Sequence, residues 1–404
     1  MTRYSIVEYA QAIRSRYKRG NRSMKSRILD EFVEVTGMHR KSAIRLLDRR
    51  GGLTGNKRRG RRRVYSVDAR ETLKVAWEAS NRLCSKRLQP FLPELVGVLR
   101  AKGELFITDE IEAEMGRLSA STIDRITRPW RQGRRSHGLS TTKPGTHLKN
   151  AIPLKTFSEW EDSPPGFIQV DLVAHCGDRV EGFYLTTLSA VDVATGWFEP
   201  IGIWGRGQQR VGEAIHRLRQ LLPMPMLGLG SDNGTEFINR GLYEYCARHR
   251  IVFTRSRSYK KNDSCHVEQK NWSVIRRQVG YQRYSSKAAY EALSDLYTVL
   301  RLYLNFFQPV LKLVAKSRQG ARIHKVYDEA QTPYRRLLKS GVLTEDKKQE
   351  LSNVYDALNP VTLREQIGQT LHRLHMLGER DSILPININE ASVTLFMKQL
   401  STTR

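Results

Sequence analysis

The sequence predicts a mixed α/β core at residues 158–309, with all-α modules before it and a helical region after it. Inside the core, short apolar runs rich in β-branched residues alternate with segments of helical periodicity. Outside it, apolar residues recur at three- and four-residue spacing, which is typical of helices. The chain has 404 residues and should fold as more than one domain, because a single hydrophobic core seldom exceeds about 250–300 residues.

The strongest global feature of the chain is its positive charge. Lys and Arg number 68 and Asp and Glu number 41, which gives a net charge of +27 at pH 7. Residues 1–150 contain 34 of the basic residues and 15 of the acidic ones, so the excess is concentrated there. Such a distribution predicts a polyanionic partner, and nucleic acid is the commonest one. The alternative is a basic surface that serves solubility alone.

Neither a membrane protein nor a disulfide-stabilised one is expected. No apolar run approaches the roughly 18–20 residues that a membrane span requires, and residues 1–20 are charged and amphipathic rather than apolar. The four cysteines are scattered, so neither a disulfide framework nor a structural zinc site is predicted. We expect a cytoplasmic protein associated with the nucleoid.

Residues 1–50 are predicted to form a helix-turn-helix module. Apolar spacing predicts helices over 4–18, 23–35 and 39–50, and Gly37 ends the second of them. A basic last helix of this kind enters the major groove of DNA. Its expected DNA contacts are Arg40, Lys41, Arg45 and Arg49. The same pattern also fits a small three-helix bundle without a DNA-binding role.

Residues 51–67 are predicted to be a basic linker that glycines interrupt. Arginine is drawn into the narrow minor groove of DNA, where the negative potential is enhanced. We therefore expect this run to contact DNA, and a solvated linker is the alternative. Its cations are Lys57, Arg58, Arg59, Arg61, Arg62 and Arg63.

Residues 68–132 are predicted to form a second helical module that repeats the helix-turn-helix layout. Its last helix is expected over 119–131, with Arg125 and Arg128 on the basic face. Residues 133–157 are rich in Gly, Ser, Thr, Pro and Lys, which is typical of a linker. The earlier helices of the module are expected over 68–83, around the apolar stripe of 92–99, and over 107–115.

The core region contains five predicted strands and three predicted helices. The strands are expected at 167–175, 183–193, 197–204, 226–231 and 251–254, and two helices at 211–222 and 238–249. A third helix begins near Glu268, because Val267 and Val274 lie seven apart and Trp272 and Ile275 lie three apart. Three strands followed by alternating helices and strands are typical of a mixed sheet flanked by helices.

Residues 310–404 are predicted to be a basic helical region. Apolar periodicity indicates a pair of helices over 344–358 and 361–377. This pair is expected to contact either DNA or another subunit, and the sequence does not choose between the two.

Three carboxylates of the core stand in contexts that suit a metal site. Asp171 interrupts an apolar strand, where a charged side chain is unfavourable unless a cation compensates it. Asp232 ends a second strand, and the turn residues Asn233 and Gly234 follow at once. Glu268 lies near the start of a helix. Two strand carboxylates and one helix carboxylate are thus able to converge on a pair of divalent cations.

The three motifs around these carboxylates resemble those of the DDE-type integrase and transposase catalytic core, which belongs to the ribonuclease-H-like superfamily. Asp232 and Glu268 are separated by 35 residues, a spacing that many members of that family show. The strings SDNG at Asp232 and KNDSCHVEQKNW at Glu268 are similar to those of bacterial insertion-sequence transposases. Ser264 and Cys265 depart from the small or amide residues expected there, and this departure leaves the three carboxylates untouched.

The resemblance implies a transposase or integrase that binds the ends of a mobile element and cleaves and joins DNA strands. It implies two Mg²⁺ or Mn²⁺ ions held by the three carboxylates, with Asp171 bridging both, and a homo-oligomer on double-stranded DNA. Lys260, Lys261 and Lys270 flank Glu268 and are expected to bind the DNA backbone. Two alternatives are a metal-dependent nuclease of the same superfamily and a DNA-binding regulator whose integrase-like core is inactive.

Overall fold

The computed structural model of the protein describes residues 2–48, 65–131, 163–257 and 264–379. These residues belong to two compact units, Met1–Val64 and Tyr65–Arg404. The linker predicted over 133–157 lies outside the described residues, and the basic linker predicted over 51–67 does so except for its last three residues.

The first unit is a bundle of three helices, α1 (Arg3–Arg19), α2 (Arg22–Thr36) and α3 (Arg40–Asp48). The Asn21 side chain caps α2 by accepting a hydrogen bond from the Met24 N–H at 2.9 Å. Gly37 ends α2 with φ +67°, a left-handed conformation that favours glycine. Phe32 and Leu47 are fully buried between the helices. All three helices lie where the sequence predicts them, whereas their DNA-binding role stays a prediction.

The second unit begins with four helices that the sequence predicts as a separate module. They are α4 (Val67–Ala79), α5 (Ser85–Ala101), α6 (Asp109–Gly116) and α7 (Ala120–Thr127), and a 3₁₀ turn follows at Arg128–Trp130. In the structure they share one hydrophobic core with the sheet and the helices that come after it. Hydrogen bonds close the junction, from Tyr303 Oη to Ala79 O at 2.7 Å and from Gln308 Nε2 to Ser80 O at 2.9 Å. The module is part of a larger folded body because its apolar stripes pack against that body.

A five-stranded mixed sheet lies at the centre of the second unit. Its spatial order is β3-β2-β1-β4-β5; β2 is antiparallel to β1 and β3, and β4 is parallel to β1 and β5. This sheet and its helices fit the integrase-like α/β core that the sequence predicts. The strands are β1 (Phe167–Ala174), β2 (Thr186–Asp192), β3 (Phe198–Ile203), β4 (Gly228–Ser231) and β5 (Val252–Arg255), and the crossover helices are α8 (Gln208–Leu221) and α9 (Arg240–Arg248).

The helix predicted near Glu268 is α10 (Cys265–Lys270), and it continues as a turn of π-helix at Asn271–Arg276. Ile275 is fully buried, whereas Trp272 is 61% exposed. The shared apolar face predicted for these two residues is therefore wrong. A π-turn pairs each residue with the one five positions on, so residues three apart no longer share a face. The long helix α11 (Lys287–Phe307) follows and packs against β3.

One arginine holds the loop between β1 and β2. Arg283 is buried and pairs with Glu379, with an Nε–Oε2 distance of 3.4 Å. Because its guanidinium donates to several carbonyl oxygens of one loop, the shape of that loop depends on it. The acceptors lie 2.6–3.1 Å from its Nη atoms and are the carbonyl oxygens of Cys176, Arg179, Glu181 and Phe183.

Beyond Pro309 the structure corrects the predicted helical region. A β-hairpin of β6 (Leu313–Gln319) and β7 (Arg322–Tyr327) comes first, with Gly320 at φ +60° in its turn. Most of its described side chains are exposed, so the apolar alternation that marks a half-buried strand is weak there. Three helices follow, and the last two confirm the predicted pair: α12 (Pro333–Lys339), α13 (Glu345–Ala357) and α14 (Pro360–Met376).

No helix within the four described ranges combines the length and the apolar character that a membrane crossing requires.

Candidate active site

The two strand carboxylates are placed side by side by the pairing of β1 with β4. These strands are parallel, and Gln169 of β1 pairs with Gly230 of β4. Asp171 lies two residues after Gln169 in β1, and Asp232 lies two residues after Gly230, directly past the end of β4. Since side chains alternate between the faces of a sheet whose strands lie about 4.8 Å apart, we expect the two carboxylates on the same face, and the effect of Asp232 on the pKa of Asp171 agrees with this.

The pKa of Asp171 is shifted far from its ordinary value. Burial and the nearby Asp232 raise the pKa of Asp171 to about 8, and Glu268 adds to the rise. Two hydrogen bonds oppose it: Oδ1 accepts the Leu172 N–H at 2.8 Å, and Oδ2 accepts from Asn271 Nδ2 at 2.7 Å. Burial and the neighbouring carboxylates thus outweigh the two hydrogen bonds.

Asp232 is held by the turn that follows β4. Its Oδ1 accepts the Gly234 N–H at 3.0 Å, and this hydrogen bond opposes the rise that burial causes in its pKa. Asn233 fixes the turn to the chain beyond β5, because its Nδ2 donates to Ser256 O at 2.9 Å. The SDNG string therefore positions the second carboxylate through both its backbone and its amide.

Glu268 approaches the strand pair from α10, which packs against β1 and β2. The neighbouring Val267 is fully buried and anchors the helix, whereas Glu268 is exposed and close enough to Asp171 to raise its pKa. Asp171 thus interacts electrostatically with each of the other two carboxylates. Within the described ranges, however, no three His, Cys, Asp or Glu side chains are near enough to form a metal-binding group. The two observations differ because charges interact over longer distances than metal–ligand bonds, so the convergence of the side chains is partial.

Two further residues, Asn271 and Glu236, lie beside these carboxylates, and the sequence predicts neither as a site residue. Asn271 orients Asp171, and its own Oδ1 is buried without a hydrogen-bond partner among the described residues. Glu236 is half-buried beside Asp232, and burial first and Asp232 second raise its pKa. Its carboxylate packs against Gly234, where an added Cβ would lie 2.6 Å from Glu236 Cδ. Spacing is the feature of the sequence that could have pointed to them, because Asn271 follows Glu268 by three positions and Glu236 follows Asp232 by four.

The donor atoms of the site suit a divalent cation. All are oxygens, which Mg²⁺ and Mn²⁺ prefer, and the unpartnered Oδ1 of Asn271 adds a neutral oxygen to the carboxylates. A bound cation would also supply the charge that favours the ionised form of Asp171. The residues present therefore fit such an ion by their chemistry.

The candidate DNA-contacting residues of the first unit differ in how free they are. Arg40 forms an ion pair with Asp30 and donates Nη2 to Ser26 Oγ at 3.0 Å, so it links α3 to α2. Lys41 and Arg45 are exposed on α3. Those two remain available to a ligand, whereas Arg40 already supports the bundle.

The candidates of the second unit also differ in exposure. Arg125 and Arg128 are exposed at the end of α7. Lys270 is half-buried, with Nζ 5.4 Å from the centre of the Phe198 ring, and burial and the nearby Arg87 lower its pKa to about 7. The remaining candidates lie outside the described residues: Arg49, Lys57, Arg58, Arg59, Arg61, Arg62, Arg63, Lys260 and Lys261.

The chain is similar to one curated protein over most of its length. No family model matches it. The uncharacterized protein y4rM of Sinorhizobium fredii (strain NBRC 101917 / NGR234) is 40% identical over 330 residues, which are 82% of this chain and 94% of that protein.

Solved structures give a weaker likeness. The catalytic core domain of BIV integrase is 21% identical with a TM-score of 0.28, over 43% of this chain and 95% of that one. The HTLV-2 integrase catalytic core domain in complex with magnesium, in its dimeric form, is 19% identical with a TM-score of 0.23, over 29% of this chain and 71% of that one. Likenesses at this level carry no argument, so the fold assignment rests on the strand order and directions described above.

Proposed function

We propose that this chain, which belongs to the same family as the Sinorhizobium fredii protein y4rM, is a DNA integrase or transposase of the DDE type. The observation that carries the proposal is the register of β1 and β4. It supports a position of Asp171 and Asp232 side by side, with Asp232 and Glu268 both close enough to Asp171 to raise its pKa. An acidic, oxygen-lined site of this kind suits metal-assisted phosphoryl transfer.

The protein side of the mechanism is binding and orientation. Asp171 and Asp232 offer two carboxylates from adjacent strands, and Glu268 adds a third from α10. Asn271 fixes the rotamer of Asp171 through its hydrogen bond of 2.7 Å. Bound divalent cations supply the positive charge that activates the attacking oxygen and stabilises the leaving 3′-oxygen. Reaction in line through the scissile phosphate then requires no protein nucleophile.

We assign DNA binding to the basic N-terminal region of the chain, residues 1–150. The exposed Lys41 and Arg45 on α3 would meet the ends of the element, and the run at 57–63 would follow the backbone. Arg125 and Arg128 offer a second basic surface on α7. The expected ligands are the element ends and target duplex DNA, with several copies of the chain on them.

A strand-joining assay tests this function. The purified full chain is incubated in Mg²⁺ or Mn²⁺ with a labelled duplex of element-end sequence and a supercoiled plasmid. A transposase or integrase yields labelled plasmid, because a free 3′-hydroxyl attacks the target. Shortened label without joining would identify a nuclease of the same superfamily. Specific binding with neither product would identify a DNA-binding regulator.

A further inference from the structure

The hairpin β6–β7 is attached firmly to the second unit at its base. The Val310 N–H donates to Gln331 O at 2.8 Å and the Asp328 N–H donates to Lys312 O at 3.0 Å, so the two ends of the hairpin are tied together. Arg336 joins these ends to α12, because its Nη1 donates to Asp328 Oδ2 at 2.6 Å and its Nη2 donates to Val310 O at 2.9 Å. The strands therefore start from a well-held base.

Beyond this base the hairpin is exposed on both faces. Every described residue from 314 to 327 is exposed, and the apolar ones include Val314 at 66% and Ile323 at 51%. Successive side chains of a strand point to opposite faces, so the rest of the described chain covers neither face. A two-stranded hairpin with no covered face is only marginally stable in water. Its open faces are thus suited to a partner.

The charge of the hairpin is uniformly positive. Residues 313–327 contain no Asp or Glu. The strand register places Lys316 opposite Lys325, and like charges directly opposite each other destabilise a strand pair. The nearest acid along the chain, Asp328, is already paired with Arg336. A polyanion is therefore the ligand that would relieve the repulsion. The cations of the hairpin are Lys316, Arg318, Arg322 and Lys325.

Duplex DNA is the polyanion whose shape matches the hairpin. Its major groove admits a two-stranded β-ribbon, and the phosphates on either side of the groove attract cations. The exposed apolar side chains of the hairpin would then contact sugars and base edges. A second copy of the chain is a poorer partner, since its net charge of +27 repels the hairpin and lysine on an edge strand opposes pairing between molecules.

We propose that the hairpin β6–β7 is a DNA-binding ribbon that enters the major groove of a duplex. The inference rests on the proposed function, because duplex DNA is the ligand which that function requires. It adds a contact with DNA in the second unit, outside residues 1–150. Contacts with phosphates carry no sequence information, so the ribbon is expected to increase the affinity for duplexes of any sequence.

A double variant tests the proposal, with fluorescence anisotropy of a labelled duplex of arbitrary sequence as the measurement. Arg318→Gln with Lys325→Gln removes two exposed cations and keeps polar side chains of similar length. In the full chain it is expected to weaken duplex binding at least about fivefold and to lower the salt slope by up to about 1.8, at about 0.9 per lost phosphate contact. EDTA is present, so no strand is cut.

A matched control separates the ribbon from net charge. Arg217→Gln with Arg248→Gln also removes two exposed cations, from α8 and α9. The control is expected to change duplex affinity by less than about twofold and to leave the salt slope close to that of the parent. Both double variants are expected to melt at the parental temperature, because all four side chains are exposed. Equal duplex affinities and salt slopes for the two double variants would overturn the proposal.

Two further measurements test the occupant. Labelled oligothymidylate offers phosphates without a groove, so the hairpin variant is expected to lose less affinity for it than for the duplex. An equal loss on both would overturn entry into the groove. Gel filtration of the DNA-free chain is expected to give the same size for the parent and the hairpin variant. A smaller size for the variant, with parental duplex binding, would make the hairpin a contact between copies and overturn the proposal.

The binding measurement is independent of catalysis. Glu268→Gln in EDTA is expected to bind the duplex like the parent, whether or not the chain joins DNA. Failure of the joining assay with an intact effect of the hairpin variant would remove the joining activity and leave the DNA-binding ribbon. Successful joining without an effect of the hairpin variant on duplex binding would do the reverse.

Discussion

At the scale of single residues, the closeness of Asp171 and Asp232 dominates the chemistry of the site. Two half-buried, neighbouring carboxylates repel each other, and their protons come off in steps that belong to the pair. A divalent cation favours the ionised form of both at once. Charge, rather than shape, is therefore the property that substitutions at these positions change first.

Glu268→Gln keeps the size of the side chain and removes its charge. Cleavage and strand joining are expected to fall by at least about 10²-fold, because the charge that develops on the leaving oxygen loses stabilisation. Binding of duplex DNA by the basic N-terminal region, residues 1–150, is expected to persist. The joining assay and anisotropy on labelled duplex measure the two effects. Glu291→Gln, an exposed acid of α11, is the matched control, and joining by Glu268→Gln at the parental rate would remove this glutamate from the site.

The pKa of Asp171 predicts how stability depends on pH. It is raised from 3.8 to about 8, so between these values the folded state holds a proton that the unfolded state has lost. Stability of the metal-free protein is therefore expected to decrease as pH rises through this window. Asp171→Asn stays neutral throughout and is expected to flatten that decrease.

Thermal melting in EDTA at pH 5 and pH 8 measures this effect. Mg²⁺ is expected to raise the melting temperature of the parent at pH 8 more than that of Asp171→Asn. Asp346→Asn, an exposed acid of α13, should follow the parent. Parallel pH curves for Asp171→Asn and the parent would contradict the prediction.

The sequence singles out the three carboxylates because each has a local signature: an apolar run, a turn or a helical period. Their role as metal ligands stays a prediction. Asn271 and Glu236 are not, because their roles depend on the register of β1 against β4 and on the turn after Asp232. Trp272 shows the same limit. Its spacing predicts burial, and a local change of helical winding exposes it.

At the scale of elements, the apolar strands of the core lie where the sequence predicts them, because both faces of the sheet are covered. The hairpin β6–β7 does not follow that rule, since exposed strands need no apolar alternation. Arg283 is a different case. Its sequence neighbours say nothing about the four carbonyl groups that it binds, because they lie in a loop about 100 residues earlier.

Arg283→Leu is expected to destabilise the fold by about 2–4 kcal/mol, because charge-assisted hydrogen bonds to one buried loop are lost. Arg283→Lys is expected to recover part of the loss. Urea unfolding measures the change in the free energy of unfolding. Arg210→Leu, at an exposed ion pair on α8, is the control and should change it by less than about 1 kcal/mol. A loss of the same small size at Arg283 would show that water replaces the guanidinium.

At the scale of the whole molecule, the helices α4–α7, the sheet and the helices α11–α14 share one hydrophobic core. Phe306 of α11 lies 4.9 Å from Tyr334 of α12, and Tyr334 lies 5.0 Å from Tyr355 of α13, measured between ring centres. The sequence separates these regions by composition, and composition does not show which apolar faces meet. We therefore expect the predicted catalytic core of 158–309 to be too small to fold alone.

Fragments of the chain test this conclusion. A fragment of residues 65–379 is expected to be monodisperse and to unfold in one cooperative transition. A fragment of 163–309 exposes the apolar faces that α4–α7 and α12–α14 cover, so we expect it to aggregate and to bind the dye ANS strongly. Gel filtration and ANS fluorescence distinguish the two. A soluble, cooperative 163–309 fragment would contradict the single core.

The boundary between the two units at Val64 indicates where the first unit could be exchanged for another domain. The described residues of the first unit form their own hydrophobic core, so replacing residues 1–64 with another domain is expected to leave the hydrophobic core of the second unit intact. A replacement that extended to residue 131 would instead remove helices α4–α7 from the hydrophobic core that they share with the sheet. Exchange of the first unit, by design or by natural recombination, is therefore expected to be tolerated at the boundary near Val64.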